Sequence, residues 1–158
     1  MTDRPPAVIV DVDGTLVDVS GVRHYVLEDP RRKDFHHFHL AAMFCPPIAS
    51  TVALVRALWG SGVTVYIVTA RKRRWLRHTQ DWLWKHSIGY DALFMRADDD
   101  DRRDVLVKAD ILDDILTRHD VVLAVDDNPA VIALWQERGI PTVIVPGWDT
   151  TMERRSRD

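Results

Sequence analysis

Two pairs of carboxylates follow apolar runs in this sequence and are the first residues with obvious chemical potential. Asp11 and Asp13 stand two residues apart after Val8–Val10, and an extended backbone directs such residues to the same side. Gly14 then permits a sharp turn. Asp126 and Asp127 follow a second apolar run. Carboxylates gathered at strand ends can share one hard cation, which offsets their mutual repulsion.

Other polar residues stand at equivalent places along the chain. Thr69 and Arg71 follow the apolar run that ends at Val68, and they offer a hydroxyl and a guanidinium. Lys108 lies near the start of a predicted helix and offers a further positive charge.

The elements that must position these residues alternate between strand and helix. Helical spacing of apolar residues follows Pro46-Pro47, Trp75, Val105 and Pro129, which predicts four helices. The pattern is typical of a doubly wound, Rossmann-like α/β domain with a five-stranded parallel sheet between two helical layers, in which ligands bind beyond the carboxyl ends of the strands. The predicted strands are the β-branched runs Ala7–Val10, Val63–Val68, Ala92–Met95, Val121–Val125 and Thr142–Val145.

The composition of the 158 residues bounds the function further. A net charge of −3 excludes a generally polycationic protein, and the single cysteine, Cys45, excludes an intrachain disulfide framework. Of the 24 acidic residues 21 are Asp, which fits either metal ligation or the codon bias of a GC-rich genome.

The sequence contains neither a recognisable signal peptide nor a membrane span. The longest stretch without Asp, Glu, Lys or Arg, from Phe35 to Val55, contains histidines and Pro46-Pro47. We therefore predict a cytoplasmic protein that does not contact membranes, with residues 1–158 forming a single domain that ends in a polar tail at 149–158.

The motif Asp11-Val12-Asp13-Gly14-Thr15, followed in order by Thr69, Lys108 and Asp126-Asp127, resembles the four motifs of the haloacid dehalogenase (HAD) superfamily of phosphohydrolases. The resemblance extends from Val8 to Val145. It implies that the reaction passes through an aspartyl-phosphate.

The resemblance also implies a role for each motif residue. Asp11 is the expected nucleophile and Asp13 the expected general acid and base. Thr69 and Lys108 are expected to orient and neutralise the phosphoryl group. Mg²⁺ is the expected cofactor, held by the Asp11 carboxylate, the Asp13 carbonyl and Asp126, with Asp127 as a ligand or its support.

HAD enzymes differ mainly in the cap, a segment or domain inserted beside the active site. This sequence has room for only a small one. Residues 18–45 suffice for a flap and a short helix but not for a large cap, and 38 residues separate Thr69 from Lys108. We therefore expect an open site. Such sites tend to act on phosphates of large molecules, and a phosphomutase, which must exclude water, is disfavoured.

A closer resemblance is to the 3′-phosphatase domain of bacteriophage polynucleotide kinase-phosphatase. It is based on the segments around Gly21–Tyr25, Thr69–Arg71, Met95–Lys108 and Asp126–Ile140. It implies that Arg23, Arg71, Asp100 and Arg102 contact the substrate, although Arg23 is displaced by one residue from the flap arginine of the family. The chain lacks the GxxxxGK[ST] phosphate loop, so it carries no polynucleotide kinase of its own, and the sequence leaves open whether a separate kinase or ligase is its partner.

Three further patterns have two interpretations each. The basic run Arg71–Arg77 either grips a nucleic-acid backbone or is a solvated helix start. Trp75, Trp82 and Trp135 either stack on bases or, as the helical spacing favours, pack in the core. The histidines at 36, 37 and 39 either bind a transition metal or, as we expect, lie on a flap or loop surface.

These inferences together predict a Mg²⁺-dependent phosphatase that removes 3′-phosphates from DNA or RNA ends during repair. One alternative is a phosphatase for small nucleotides or other phosphomonoesters. Another, of a different class, is a non-catalytic module that binds nucleic acid or a protein partner, which the complete set of motif residues disfavours. The oligomeric state is left open.

Overall fold

The structure is a computed structural model and describes residues 3–27 and 31–146. Its centre is a sheet of five parallel strands in the order β3-β2-β1-β4-β5. This confirms the predicted α/β architecture. The strands are β1 (Pro6–Val10), β2 (Thr64–Lys72), β3 (Ala92–Arg96), β4 (Asp120–Asp126) and β5 (Thr142–Ile144).

Helices cover both faces of the sheet, as the unbroken apolar character of the strands requires. One face packs against α3 and α4 and the other against α5 and α6, with separate apolar clusters. The helices in the described residues are α1 (His24–Leu27), α2 (Phe35–Ala42), α3 (Ala49–Gly60), α4 (Leu76–Lys85), α5 (Asp104–Ile115) and α6 (Pro129–Glu137), with short 3₁₀ turns at Ser20–Val22 and Arg73–Trp75.

The strand register aligns the ends of the central strands. Val10 pairs with Ile67 on one side and with Val125 on the other, so β1, β2 and β4 end at one edge. The Asp11 amide donates a hydrogen bond of 3.0 Å to the Val125 carbonyl. The chain runs outward in opposite directions from β1 to its neighbours, and such a switch point is where open α/β sheets bind ligands.

The second strand is longer than the sequence predicted. It continues past Val68 to Lys72, and its pairing with β3 shifts register between Thr69 and Lys72. A register shift of this kind redirects side chains at a sheet edge. The polar residues in this stretch gave no apolar signal, so the continuation was not predicted.

The two ends of the insertion at 18–45 are joined by backbone hydrogen bonds, so the insertion leaves the main domain and rejoins it at one place. The Asp18 amide donates to the Pro46 carbonyl (2.9 Å) and the Ile48 amide donates to the Leu16 carbonyl (2.8 Å). The insertion holds α1 and α2, so it is a small helical subdomain. The polar tail predicted at 149–158 lies outside the described residues.

The three histidines lie in α2 of the insertion, where His36 and His37 are exposed, as expected of a flap surface, and His39 is partly buried. The Asp34 carboxylate caps this helix by accepting a hydrogen bond of 3.0 Å from the His37 amide. Phe38 and Ala42, one turn apart, bury against the core. The capping residue and the spacing of these two apolar residues are visible in the sequence, but the neighbouring histidines were interpreted as a surface segment and the position of this helix was not predicted.

No helix among residues 3–27 and 31–146 combines the length and apolar character needed to cross a bilayer.

Candidate active site

A cleft of about 810 Å³ opens at the carboxyl edge of the sheet. Asp11 and Lys108 line it from the sheet and from α5, and Thr69 and Arg71 line it from the end of β2. Seven of the described lining residues come from the insertion, which therefore supplies one wall.

The centre of the cleft is a buried cluster of charges around Lys108. Lys108 Nζ lies 2.8 Å from Asp11 Oδ1 and 2.7 Å from Asp126 Oδ2, and the lysine is only 2% exposed. Although burial opposes the charge, Asp11 and Asp126 raise the pKa of Lys108. The lysine is therefore a fixed cation between two carboxylates.

Asp11 carries a different balance of effects. Burial raises the pKa of Asp11 well above its usual value, while Lys108 lowers it and the neighbouring Asp126 and Asp127 raise it further. One lysine thus faces three buried carboxylates, which is an excess of negative charge in a medium that screens poorly.

The two carboxylates after β4 are held differently. Asp126 accepts hydrogen bonds from the amides of Asp127 (2.9 Å) and Asn128 (3.0 Å), from Lys108 and from Trp135 Nε1 (3.3 Å). Asp127 Oδ1 accepts a hydrogen bond of 2.8 Å from the Thr15 hydroxyl. The buried Asp127 Oδ2 has no hydrogen-bond partner among the described residues. Asp126 is thus held in place by several hydrogen bonds, whereas Asp127 has one oxygen that can bind a ligand.

These carboxylates fit a divalent cation. Ligand oxygens of Asp11, Asp126 and Asp127 lie within 4.8 Å of one another, and oxygen is the donor that Mg²⁺ prefers. The partnerless Asp127 Oδ2 is an independent sign, because a buried carboxylate oxygen normally has a partner. Gly14 is shaped to the same group, since a Cβ at this position would lie 2.1 Å from Asp127 Oδ2.

Asp13 lies at the cleft in a two-point contact with Arg71. Arg71 Nε and Nη2 lie 2.8 and 2.5 Å from the two Asp13 carboxylate oxygens. Arg71 Nη1 donates a hydrogen bond of 3.1 Å to the Thr79 hydroxyl. Although burial has the opposite effect, the Arg71 guanidinium holds the pKa of Asp13 below its ordinary value. Arg71 itself is 3% exposed, so it belongs to the site and not to a solvated basic run.

Replacing Arg71 with lysine is expected to lower kcat/KM by about 10- to 100-fold. Lysine keeps the charge, but one ammonium cannot form a fork on Asp13 while bonding Thr79, and hydrogen bonds to charged groups contribute about 1.5–3 kcal/mol each. Steady-state hydrolysis of a small phosphomonoester measures the loss. Arg73→Lys, at an exposed position outside the cleft, is the matched control. An Arg71→Lys enzyme that matches this control would contradict the assigned contact.

The remaining cations of the basic run are divided by the fold. Lys72 and Arg74 line the cleft, but Lys72 pairs with Asp101 (2.6 Å) and Arg74 with Asp98 (3.3 Å). Neither Arg73 nor Arg77 is a cleft-lining residue. The acidic loop 98–101 thus neutralises part of the run.

Arg96 organises the loop between β3 and α5, a role that the sequence did not reveal. This arginine is 7% exposed and donates to the carbonyls of Ala70 (2.8 Å), Asp100 (3.2 Å) and Arg102, and to the Asp104 carboxylate. A buried guanidinium with this many partners ties the end of β2 to the start of α5.

The predicted substrate contacts Asp100, Arg102 and Arg23 have different surroundings. Arg102 lines the cleft and is held by the carboxylates of Asp100 and Asp110, each at 2.8 Å. Asp100 is not a cleft-lining residue, and the Arg102 hydrogen bonds lower its pKa to about 2. Arg23 is half-buried and does not line the cleft. The structure therefore brings only Arg102 of these three to the cleft.

The tryptophans predicted to be in the core are buried, and one of them also borders the cleft. Trp75, Trp82 and Trp135 are 7%, 3% and 1% exposed. The Trp75 ring packs against His36 and His39 at centroid distances of 5.3 and 5.4 Å. Burial lowers the pKa of His39 to about 4, so this imidazole is neutral at physiological pH. His36 and His39 were not predicted to be cleft residues.

Comparison with known families identifies the family to which this chain belongs. The family model for the polynucleotide kinase PNKP phosphatase domain matches residues 5–147, which include all of the cleft-lining residues. The chain belongs to this family. The PNKP phosphatase domain is a phosphatase of the HAD type, so the similarity of the four motifs to HAD enzymes is confirmed at the family level.

Individual relatives agree with the family. The chain is 27% identical over 141 residues to a protein of Autographa californica nuclear polyhedrosis virus described as a bifunctional polynucleotide kinase/RNA ligase, covering 88% of this chain and 19% of that one. It is 27% identical to a chain of the Pnkp1/Rnl/Hen1 RNA repair complex, with a TM-score of 0.76, covering 92% of this chain and 43% of that one. This PNKP phosphatase domain thus spans less than half the length of either relative.

The fold extends to more distant phosphatases. The class C acid phosphatase from Bacillus anthracis, solved with tungstate bound, has a TM-score of 0.69 over 92% of this chain and 68% of its own, at 15% identity. At this identity the match establishes the shared HAD fold alone.

Proposed function

We propose that this chain is a Mg²⁺-dependent phosphatase that removes 3′-phosphates from polynucleotide ends through an aspartyl-phosphate. The observation that carries the proposal is the position of Asp11, which lies in the cleft beside Lys108 and the carboxylates of Asp126 and Asp127. The PNKP family and the polynucleotide-processing names of two relatives support the substrate class.

The first half of the reaction uses Asp11 and Asp13. An Asp11 oxygen attacks the phosphorus, the bond from phosphorus to O3′ breaks, and Asp13 delivers a proton to O3′. Lys108 and Thr69 face the phosphoryl oxygens, where their positive charge and hydroxyl offset the charge that develops. The incoming phosphate competes for the Arg71 donors, which weakens the contact that lowers the pKa of Asp13 and allows this carboxyl to hold the proton that it gives to the leaving oxygen.

The second half regenerates the enzyme. Water attacks the phosphorus of the aspartyl-phosphate, Asp13 takes a proton from that water, and the bond between phosphorus and the Asp11 oxygen breaks. Inorganic phosphate leaves and Asp11 returns to a carboxylate. The same two aspartates thus serve both halves of the cycle.

A divalent cation would be held by Asp11 and Asp127, with the carbonyl of Asp13 and the anchored Asp126 completing its protein surroundings. When bound, the cation neutralises charge on the carboxylates and on the phosphoryl group, which is worth several kcal/mol in related chemistry. The partnerless oxygen of Asp127 is the feature of this chain that supports the assignment.

A kinase or ligase is the proposed partner. The relative from Autographa californica nuclear polyhedrosis virus is described as a bifunctional polynucleotide kinase/RNA ligase, which supports this proposal. The cytoplasmic location stays a prediction from the sequence.

The proposal is tested by phosphate release from one oligonucleotide carrying either a 3′- or a 5′-phosphate, and from a 3′-mononucleotide. We expect kcat/KM to be highest for the 3′-phosphorylated oligonucleotide by at least about tenfold, which corresponds to about 1.4 kcal/mol. EDTA is expected to reduce the rate by about 100-fold or more, and added Mg²⁺ to restore it. Equal turnover of the three substrates would identify a general phosphomonoesterase, and full activity in EDTA would remove the metal from the proposal.

A further inference from the structure

The cleft has the opposite charge to the chain as a whole. Among the described residues that line it, eight are Lys or Arg and five are Asp, although the chain carries a net charge of −3. An excess of cations around a reaction centre attracts a substrate that carries several negative charges. The eight cations are Lys33, Arg71, Lys72, Arg74, Arg96, Arg102, Arg103 and Lys108.

Six of these cations are already paired with carboxylates. Arg71 and Lys108 bind the aspartates of the reaction centre, and Arg96 binds Asp104. Lys72, Arg74 and Arg102 bind aspartates of the loop 98–101, and Arg102 also binds Asp110. Lys33 and Arg103 have no ion pair with any carboxylate of the described residues, and both are exposed.

These two cations come from different elements of the cleft. Lys33 stands just before α2, in the insertion, and Arg103 is the residue that precedes the first turn of α5. Neither belongs to the four motifs. Their charge is therefore available to a ligand that extends beyond the phosphoryl group itself.

Exposed aromatic rings lie in the same cleft. Phe35, two residues after Lys33, is 53% exposed, and His36 is exposed beside the ring of Trp75 at 5.3 Å. Cations interleaved with accessible rings are the chemistry that binds single-stranded nucleic acid, because phosphates contact the cations and bases stack on the rings.

The size of the cleft limits what enters it. A volume of about 810 Å³ lies within the range of roughly 300–1,000 Å³ that encloses one drug-sized ligand. It holds a terminal nucleotide around the reaction centre. A base that lies against the rings of the cleft must leave the stack of a duplex, which costs free energy, whereas the base of a single strand is already unpaired.

We propose that the substrate is a single-stranded 3′-phosphorylated end, and that Lys33 and Arg103 contact the internal phosphates of the strand as it leaves the cleft. This proposal rests on the proposed function and adds to it the form of the polynucleotide and two residues that bind it. The terminal base lies against the exposed Phe35 and His36 rings.

The test uses the double variant Lys33→Gln/Arg103→Gln beside the wild-type chain. The measured quantity is kcat/KM for a single-stranded 3′-phosphorylated oligonucleotide divided by that for the corresponding 3′-mononucleotide. We expect this ratio to fall about tenfold, and the slope of log kcat/KM against log salt for the oligonucleotide to become shallower by about 0.7 for each cation removed. A blunt duplex with the same 3′-phosphate is expected to react at least about tenfold more slowly than the single strand.

The matched control is Arg73→Gln/Arg77→Gln, which removes two exposed arginines that do not line the cleft. A double variant with the ratio and salt slope of this control overturns the assignment of Lys33 and Arg103. A duplex that reacts as fast as the single strand overturns the single-strand requirement. If the proposed function itself is wrong, the wild-type chain shows no preference for a 3′- over a 5′-phosphorylated oligonucleotide, a result that these variants do not influence.

Discussion

Asp11→Asn is expected to abolish phosphate release, with kcat reduced by about 10⁴- to 10⁶-fold, the range seen when an enzyme loses its nucleophile. The asparagine amide has almost the shape of the carboxylate but does not attack phosphorus. Lys108 keeps its contact of 2.7 Å with Asp126, so the cluster retains its cation. The variant also removes one of three buried carboxylates, so its melting temperature is expected to equal or exceed that of the wild type.

The intermediate provides a second readout for Asp11. Acid quenching of the wild-type enzyme during turnover of a phosphate-labelled substrate is expected to trap label on the chain, and hydroxylamine to release it, because an acyl phosphate reacts with amines. Asp113→Asn is the matched control, since this exposed aspartate pairs with Arg138 at 2.7 Å on the far part of α5. Turnover by the Asp11→Asn chain above about 1% of the control would exclude Asp11 as the nucleophile.

Lys108→Met is expected to remove activity and, in EDTA, to lower the free energy of unfolding by about 3–5 kcal/mol. The ammonium is buried between Asp11 and Asp126, and its loss leaves three carboxylates facing one another without a cation. For a chain of this size the melting temperature is expected to fall by roughly 10 °C. Saturating Mg²⁺ is expected to recover part of the loss, because binding to the folded state stabilises it.

Two further variants separate the electrostatic cause from a packing defect. Adding Asp11→Asn to Lys108→Met removes one of the uncompensated charges, so we expect the double variant to be more stable than Lys108→Met alone. Lys85→Met, at an exposed position on α4, controls for the loss of a lysine. Urea unfolding with EDTA or Mg²⁺ measures all of them. A Lys108→Met chain as stable as the Lys85→Met control in EDTA would contradict the charge balance described for the cluster.

The parts of the fold that sequence predicted best are those governed by local chemistry. β1 and β4 are continuous apolar runs ended by aspartates, and this pattern alone indicates buried parallel strands with polar ends. Pro129 begins α6 at the position where its missing amide costs nothing. The end of β2 was not predicted, because Thr69–Lys72 continues the strand through pairing with β3 and not through its own apolar character.

The insertion and the loop before α5 show what local patterns miss. The histidines of α2 resemble a surface segment until Phe38 and Ala42 are seen to bury against the core. The resemblance placed Asp100 on the substrate side, and the ion pair of its carboxylate with Arg102 was not predicted. Arg96 lies in a segment on which the resemblance was based, but its role was not predicted, because it depends on carbonyls from two segments that meet only in the folded chain.

By itself the sequence determined the class of fold and the meeting of Asp11, Asp13, Thr69 and Asp126 at one edge, because parallel strands that end in polar residues bring those ends together. Tertiary structure decided how the charges are divided. Lys108 is shared by Asp11 and Asp126, Arg71 binds Asp13, and an oxygen of Asp127 is left over for a cation. It also decided which cations of the cleft pair with carboxylates of the described residues and which, Lys33 and Arg103, do not. The reason is physical: a strand end is a property of a few neighbouring residues, whereas an ion pair depends on where two distant segments cross.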